Sequence, residues 1–187
     1  MKIGVLALQG AFIEHCDVLK KLDAEPVEIR QHGHFSSHLD GLIIPGGEST
    51  VMGKLLRELK LLEPIKDAVF NGMPVFGTCA GLILLSKQIE GGGTGPIPVL
   101  DVLVRRNAYG RQLGSYRTTA KFKGIGEVPM VFIRAPYVLE AYGGAEVLAM
   151  VDKKIVAVRQ GAVLATAFHP ELTDCIGIHE LFIYGRT

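Results

Sequence analysis

The feature that most constrains this fold is one short turn, at which an apolar run meets a helix-like run. Residues 73–76 are mostly apolar and lead into Gly77-Thr78-Cys79-Ala80-Gly81, and the apolar residues 82–85 follow. A tight turn from strand to helix needs small flanking residues and projects its central side chain from the tip. The pattern therefore predicts an α/β arrangement with Cys79 at the start of a helix, where the helix dipole and unpaired amides favour a thiolate.

A histidine with a carboxylate two residues away lies near the other end of the chain, in Phe168-His169-Pro170-Glu171. Pro170 biases His169 toward extended backbone, in which residues two apart project to the same side. Glu171 could then orient the imidazole, and with Cys79 the pair predicts a Cys-His-Glu hydrolase site. Each segment alone has a plainer interpretation: a surface turn for His-Pro-Glu, and a buried, inert thiol for Gly-x-Cys-x-Gly.

The first half of the chain alternates apolar runs with helical patterns. Strand candidates lie at residues 3–8, 27–30 and 41–45. Helical spacing is shown by two sets of apolar residues: Phe12, Cys16, Leu19 and Leu22, then Met52, Leu55, Leu56 and Leu59. Continuous apolar strands between helices are typical of a parallel sheet that helices cover on both faces.

The second half reads as more antiparallel. Short runs predict strands at 115–123, 130–134, 146–151, 155–159 and 163–168, with a hairpin turn at 151–154. A last short helix is expected from about residue 174. Because no linker or low-complexity tract interrupts the chain, we expect residues 1–187 to form a single domain.

Four segments directly follow strand candidates: Gln9, Gly46-Gly47, Cys79 and His169. Ligands of open α/β sheets collect beyond the carboxyl ends of the strands, so we expect these segments to meet at one rim. In Pro45-Gly46-Gly47-Glu48-Ser49-Thr50 the glycines allow backbone amides to face that rim as donors to an oxyanion. Ser49 or Thr50 could cap the following helix. An ordinary tight turn before a capped helix explains the segment equally well.

Composition limits the classes of partner. The 187 residues are 48% hydrophobic and 21% charged, with a net charge of +1. This is the composition of a globular domain, and it gives no reason to expect nucleic acid or a membrane as a partner. No apolar run is long enough to span a bilayer, and three scattered cysteines make no disulfide framework. We therefore expect a protein of the reducing cytoplasm.

The remaining histidines give weaker signals. His32, His34 and His38 lack the spacing and the nearby cysteines or acids of a metal site, so no metal is expected. No segment indicates an organic cofactor either. His15 and His179 have no partner that the sequence reveals, and we interpret them as surface or hydrogen-bonded structural residues.

Together these segments resemble the triad-type (class I) glutamine amidotransferases, and within them the glutaminase subunits of pyridoxal 5'-phosphate synthases. The narrower resemblance depends on blocks that span nearly the whole chain in the family's order. They are Leu8-Gln9-Gly10, Pro45-Gly46-Gly47-Glu48-Ser49-Thr50, Gly77-Thr78-Cys79-Ala80-Gly81, Arg106-Asn107-Ala108-Tyr109-Gly110-Arg111-Gln112, Phe132-Ile133-Arg134-Ala135-Pro136 and Phe168-His169-Pro170-Glu171-Leu172-Thr173. The resemblance implies a flavodoxin-like, three-layer α/β fold, with a mostly parallel sheet flanked by helices and a more antiparallel second half.

The resemblance also implies a reaction, the hydrolysis of L-glutamine to L-glutamate and ammonia. Cys79 would form a thioester, His169 would act as acid and base, and Glu171 would orient His169. The amides of Gly47 and Ala80 would form the oxyanion hole. The residues that match the family's glutamine-binding positions are Gly47, Glu48, Ser49, Arg106, Ile133 and Arg134, with Gln9 near the nucleophile and the subunit contact.

A partner follows from the same resemblance: a barrel-shaped synthase subunit that uses the ammonia to build pyridoxal 5'-phosphate, in a large hetero-oligomer. Three alternatives remain open on the sequence. The chain could be a glutaminase that serves another amidotransferase, a small cysteine peptidase on a related sheet, or a non-catalytic regulatory module. Selectivity for glutamine over peptides would distinguish a glutaminase from the peptidase. Trapping of the thiol by a glutamine analogue would distinguish it from the non-catalytic module.

Overall fold

The computed structural model describes residues 1–36, 38–106 and 115–185. Within these residues, twelve strands and five α-helices follow one another in a largely alternating order. They are β1 (Lys2–Leu6), α1 (Phe12–Lys21), β2 (Glu25–Ile29), β3 (Gly41–Ile44), α2 (Ser49–Glu58), α3 (Leu62–Phe70), β4 (Val75–Thr78), α4 (Ala80–Leu85), β5 (Ser86–Ile89), β6 (Leu100–Arg105), β7 (Ser115–Phe122), β8 (Gly126–Ile133), β9 (Tyr137–Ala141), β10 (Glu146–Val151), β11 (Lys154–Gln160), β12 (Val163–Thr166) and α5 (Gly177–Tyr184). Short 3-10 turns lie at His32–His34 and Pro170–Leu172.

A parallel sheet forms the centre of the fold, with the strand order β2-β1-β3-β4-β12. Every residue of β3, β4 and β12 is buried, which is why these strands read as continuous apolar runs. The order of the first four strands is that of flavodoxin-like sheets. The predicted parallel α/β fold is thus confirmed.

Helices cover both faces of this sheet, as β4 shows. The Phe76 ring contacts the rings of His179 and Phe182 of α5 and of His15 of α1. On the next residue, Gly77, a Cβ atom would lie 2.7 Å from Leu85 Cδ1 of α4. Successive residues of a strand face opposite sides, so α1 and α5 lie on one face and α4 on the other. The three layers expected from the family resemblance are therefore present.

The second half of the sheet is antiparallel, in agreement with the expectation. β12, β11, β10, β7 and β8 pair in that order, all antiparallel. A branch formed by β5, β6 and β9 joins β11 through β9. The hairpin between β10 and β11 turns at Asp152 and Lys153, which have φ values of 48° and 63°. Two positive φ angles in a two-residue loop match the twist of the flanking strands.

Two local expectations were wrong, and two strands were not predicted. The last helix begins at Gly177, not near residue 174. Helix α2 is capped neither by Ser49 nor by Thr50, since the Glu48 carboxylate accepts from the amides of Thr50 and Val51. Strands β5 and β9 were not anticipated. In the described part of the chain, no helix is both long and apolar enough to cross a membrane.

Candidate active site

Cys79 lies at a strained turn between β4 and α4. Its φ and ψ angles are 51° and −100°, a region that residues with a side chain rarely adopt. The Cys79 amide donates to the carbonyl of Thr166 at 2.8 Å, which ties the turn to the end of β12. A Cβ atom on Gly81 would overlap the Ile44 carbonyl oxygen of β3. The expected sharp turn with small flanking residues is therefore present, and packing against β3 requires the glycine.

His169 follows β12 and faces the same turn. Its amide donates to the Val131 carbonyl of β8 at 2.8 Å, so two strands fix its backbone. A Cβ atom on Gly46 would overlap Cε1 of the imidazole and would lie 3.2 Å from Cβ of Cys79. The absence of a side chain at Gly46 thus makes the space in which the thiol and the imidazole meet.

Glu171 contacts His169, but not through the extended backbone that the sequence analysis predicted. Residues Pro170–Leu172 form a 3-10 turn, and this turn carries the carboxylate back toward the imidazole. Glu171 Oε1 lies 2.7 Å from His169 Nδ1. Glu171 is 5% exposed and His169 6%, so the contact is shielded from water.

Burial and contacts act on the two groups in opposite directions. Burial by itself lowers the pKa of His169, but the hydrogen bonds to Cys79 and Glu171 outweigh it and raise the pKa to about 10. Burial raises the pKa of Glu171, and its contact with His169 opposes that effect. The protonated imidazole is therefore favoured between a thiol and a carboxyl group, as expected of a coupled proton-transfer site.

A cavity of about 800 Å³ opens in front of these residues. Nine of the residues singled out from the sequence line it: Gly47, Glu48, Ser49, Cys79, Ala80, Arg106, Ile133, Arg134 and His169. The other two lie behind the wall. Glu171 is buried beneath His169, and the Gln9 side-chain oxygen accepts from the Glu48 amide at 3.1 Å. The fold thus brings nine of the eleven residues to one cavity and places the other two directly behind its wall.

Backbone geometry is unusual on two sides of the cavity. Gly47 has a φ of 155°, and a Cβ atom there would lie 2.9 Å from Met52 Sδ. Across the cavity, Arg134 has a φ of 42° directly after the end of β8. The Cys79 thiol lies 3.9 Å from the carbonyl oxygen of Ile133, in a long hydrogen bond. Cys79 and Arg134 thus bring two strained backbone positions to this site, as is common where side chains are held for function.

Charged side chains of both signs line the cavity. The amides of Thr50 and Val51 lower the pKa of Glu48, and the nearby charge of Arg106 adds to that effect. Arg106 is the last residue described before a gap. The rest of its sequence block, residues 107–112, lies outside the described residues. Arg106 and Arg134 place two positive charges at the rim, and Glu48 a negative one.

Sequence reasoning missed several residues that the fold brings here. Glu90 and Pro136 also line the cavity. His15 of α1 and His179 of α5 are fully buried behind Glu171, whose Oε2 lies 3.5 Å from His15 Nε2. No sequence signal marks these two histidines, because their contact joins residues that are 164 positions apart. Within residues 1–36, 38–106 and 115–185, no cluster of three or more His, Cys, Asp or Glu side chains could hold a metal ion.

Comparison with known proteins identifies the family. Residues 5–186 match the model of the SNO glutamine amidotransferase family, which is nearly the full chain. The chain belongs to this family. A solved structure described as a glutamine amidotransferase superposes with a TM-score of 0.90 at 46% identity, covering 97% of this chain and 96% of that one. The class I glutamine amidotransferase fold that the sequence suggested is thus confirmed.

Curated relatives of this glutamine amidotransferase give a narrower match. This chain is 54% identical over 186 residues to pyridoxal 5'-phosphate synthase subunit PdxT of Haemophilus influenzae, and the match covers 98% of this chain and 97% of the relative. It is 53% identical to the subunit of the same name from Streptococcus pneumoniae, covering 98% and 96% of the two chains. The resemblance to glutaminase subunits of pyridoxal 5'-phosphate synthases is therefore confirmed at the level of sequence.

Proposed function

We propose that this glutamine amidotransferase hydrolyses L-glutamine to L-glutamate and ammonia through Cys79, His169 and Glu171. The observation that carries the proposal is the position of His169, whose imidazole interacts with both Cys79 and Glu171 at the wall of the cavity. Nucleophile, base and orienting group in contact are the signature of covalent catalysis. Residues 1–187 act as one domain, which the continuous sheet and the family match support.

In the acylation step, the Cys79 sulfur attacks the side-chain amide carbon of glutamine while His169 holds the thiol proton. The tetrahedral intermediate collapses as the C–N bond breaks, and His169 gives its proton to the departing ammonia. His169 then takes a proton from water, whose oxygen attacks the thioester; the C–S bond breaks, glutamate leaves, and His169 returns the proton to the Cys79 sulfur. Glu171 accepts from His169 Nδ1 throughout, so Nε2 stays available for proton transfer.

The tetrahedral oxyanion is held by the backbone amides of Gly47 and Ala80 in this proposal. Ala80 is the first residue of α4, and its amide is one of those that a helix leaves unpaired. Gly47 has a conformation suited to glycine and lies on the cavity wall. Removal of one oxyanion donor typically costs about 10²–10³-fold in rate.

Charge at the rim supports glutamine as the substrate. Arg106 and Arg134 suit the α-carboxylate of an amino acid, because a guanidinium binds a carboxylate with two parallel hydrogen bonds. The Glu48 carboxylate suits the α-ammonium group. Ser49 and Ile133 complete the walls, and Gln9 supports the Glu48 backbone from behind.

We further propose that the ammonia passes to a barrel-shaped synthase subunit that builds pyridoxal 5'-phosphate, in a large hetero-oligomer. The support is the name of the relatives that are 53–54% identical over nearly the full length. Delivery within a complex keeps ammonia from being protonated in water. The cytoplasm, where that synthesis is expected, is the proposed location.

The test is ammonia release from L-glutamine, with and without the cognate synthase, for the parent chain and for Cys79→Ala. Release that requires both Cys79 and the synthase supports the whole proposal. Release that requires Cys79 but does not depend on the synthase supports glutamine hydrolysis by Cys79 and contradicts the proposed synthase partner. Absence of release under every condition overturns the glutaminase assignment.

A further inference from the structure

A pair of buried histidines lies directly behind Glu171. His15 of α1 and His179 of α5 are both fully buried. His15 Nδ1 lies 2.8 Å from His179 Nε2, and His15 Nε2 lies 3.5 Å from Glu171 Oε2. The hydrolysis proposed above makes no use of either ring. Two buried titratable rings that lie behind the orienting carboxylate therefore need an explanation of their own.

The second oxygen of Glu171 depends on this pair. Glu171 Oε1 accepts from His169, whereas Oε2 is buried and has no hydrogen-bond partner at normal distance among the described residues. His15 Nε2 lies just beyond that distance and also lies 3.3 Å from Thr78 Oγ1. A carboxylate oxygen without a donor is costly to bury, so a proton on His15 Nε2 matters for the charge of Glu171.

Burial keeps both rings neutral. It lowers the pKa of His15 well below the ordinary value and lowers that of His179 to about 3. A neutral imidazole has one N–H, so the short contact between the rings allows only two arrangements. In one, His179 Nε2–H donates to His15 Nδ1, and His15 Nε2–H points toward Thr78 and Glu171. In the other, His15 donates from Nδ1 and turns a lone pair toward Glu171.

The first arrangement has the lower cost. The second would face the lone pair of His15 Nε2 toward a carboxylate oxygen. It would also put the remaining proton of His179 on Nδ1, a buried atom without a partner among the described residues. In the first arrangement, His179 Nδ1 carries no proton and is only an acceptor without a donor. An N–H that is buried without an acceptor, together with repulsion at Glu171, disfavours the second arrangement.

We propose that His15 and His179 are positioning residues: the hydrogen bond between the two rings fixes the proton on His15 Nε2, and this N–H, 3.5 Å from Glu171 Oε2, favours the ionised carboxylate beneath His169. This inference rests on the proposed function, because it assigns the pair a role in glutamine hydrolysis. His15 supports the second carboxylate oxygen, and His179 fixes the tautomer of His15. Neither ring lines the cavity in front of Cys79.

The role follows from what burial does to Glu171. Burial raises the pKa of this carboxyl group, and the charge of Glu14 on α1 adds to that effect. A protonated Glu171 could donate to His169 Nδ1 instead of accepting from it. His169 would then carry its proton on Nε2 and could not take the proton of Cys79. An N–H on His15 Nε2 near Glu171 Oε2 favours the ionised carboxylate and so opposes the protonation of Glu171.

The first arm of the test is imidazole ¹⁵N NMR on the isolated full-length chain at neutral pH. We expect His15 and His179 to be neutral, both with the proton on Nε2. A proton on Nδ1 of His15, or a charged ring, overturns the proposal. This arm needs no glutamine, so it decides the hydrogen-bond chain even if the glutaminase assignment fails.

The second arm is steady-state glutamine hydrolysis in the presence of the cognate synthase. His15→Leu removes the donor, whereas His15→Gln can place an amide N–H near the original Nε2. Loss of an outer partner that orients a functional imidazole–carboxylate pair costs about 10–100-fold in metal enzymes. We expect about a tenfold loss of kcat for His15→Leu, with KM within about twofold, and substantial recovery for His15→Gln. Equal losses for the two variants overturn the proposal.

A double-mutant cycle separates positioning from simple packing. If His15 acts through Glu171, then His15→Leu has little further effect in a Glu171→Ala background. An undiminished effect there overturns the proposal. Val18→Ala is the matched control, since Val18 is a buried core residue of the same helix. It lowers stability while kcat stays near that of the parent; a loss of kcat equal to that of His15→Leu overturns the positioning role.

Discussion

Glu171 Oε1 lies 2.7 Å from His169 Nδ1, and a 3-10 turn rather than an extended strand makes this contact. The turn hides the carboxylate under the imidazole instead of beside it. Both residues are nearly inaccessible to water, with 6% exposure for His169 and 5% for Glu171. In such surroundings a charge-assisted hydrogen bond is stronger than in water, so the orientation of His169 is firmly held.

Glu171→Gln tests this contact. Glutamine has the same shape but no charge, so the protonated imidazole of His169 loses the carboxylate that stabilises it. We expect the pKa of His169 to fall, because one of the two contacts that raise it is weakened. We expect kcat for glutamine hydrolysis to fall by about 10²–10⁴-fold, the usual worth of positioned acid–base help. Imidazole titration by NMR and steady-state rates measure the two effects.

The matched control is Glu180→Gln, an exposed glutamate on α5. It makes the same chemical change away from the site and is expected to leave both quantities as in the parent. Retention of most activity by Glu171→Gln would contradict the role given to Glu171.

Gly46→Ala tests the space between thiol and imidazole. A methyl group there would overlap Cε1 of His169 and crowd Cβ of Cys79 at 3.2 Å. The imidazole must move, and a displacement of about 1 Å at a reacting group can cost about 10²-fold. We expect a loss of kcat of that size with the fold retained. Gly33→Ala is the control, since nothing lies within 4 Å of a Cβ atom at that position; equal effects of the two changes would refute the steric argument.

The parts of the fold that local patterns determine could be predicted from the sequence. Strand β10 has the predicted bounds and β3 lies within its predicted run, whereas β4 begins in the apolar run 73–76 and continues to Thr78. The turn at Cys79 could be predicted because its glycines are required for one physical reason: the chain approaches neighbouring segments too closely there for a side chain. Strong apolar runs and tight turns carry their structure in a few neighbouring residues.

The parts that long-range contacts determine could not be predicted. Strand β9 exists because it pairs with β6 and β11, and nothing in its own residues required this. The cap of α2 went to Glu48 rather than to the expected Ser49 or Thr50, whose preference as caps is only statistical. His15 and His179 each looked isolated because their contact depends on how α1 and α5 pack on β4.

The buried histidines make stability depend on pH. His179 has a pKa of about 3 in the folded chain and about 6.5 when exposed by unfolding. Its contribution to stability is therefore present above pH 6.5 and is lost as the pH falls toward 3, because the unfolded chain binds the proton first. We expect His179→Phe to reduce the slope of unfolding free energy between pH 5 and about 6.5, by up to about 1.4 kcal/mol per pH unit.

Urea unfolding at a series of pH values measures that slope. The raised pKa of His169 gives a slope of opposite sign that grows only as the pH approaches 6.5, because well below that pH both states are protonated. The raised pKa of Glu171 gives a slope of opposite sign, so a further rise of that pKa in His179→Phe would reduce the slope in the same direction. His32→Gln, at an exposed position, serves as the control. An unchanged slope in His179→Phe would show that His179 does not take up a proton on unfolding.

Strain at Cys79 predicts that glycine is more stabilising than alanine at this position, the reverse of the usual order. At φ 51° and ψ −100°, a residue with a Cβ atom costs about 1–3 kcal/mol, which glycine avoids. Glycine loses about 0.5–1 kcal/mol relative to alanine through the entropy of the unfolded chain. Cys79→Gly should therefore be more stable than Cys79→Ala by about 1 kcal/mol, although both variants lack the nucleophile and hydrolyse no glutamine.

Cys16 supplies the matched pair for this comparison, because it is buried within α1 at ordinary helical geometry. There the order must reverse, with Cys16→Gly less stable than Cys16→Ala by about 1 kcal/mol. Urea unfolding of the four variants gives both differences. If glycine is the less stable choice at both positions, the backbone of Cys79 is relaxed and the turn stores no strain. Opposite signs would mean that the fold sacrifices stability to project the thiol toward His169, and that the cysteine is kept there for its chemistry.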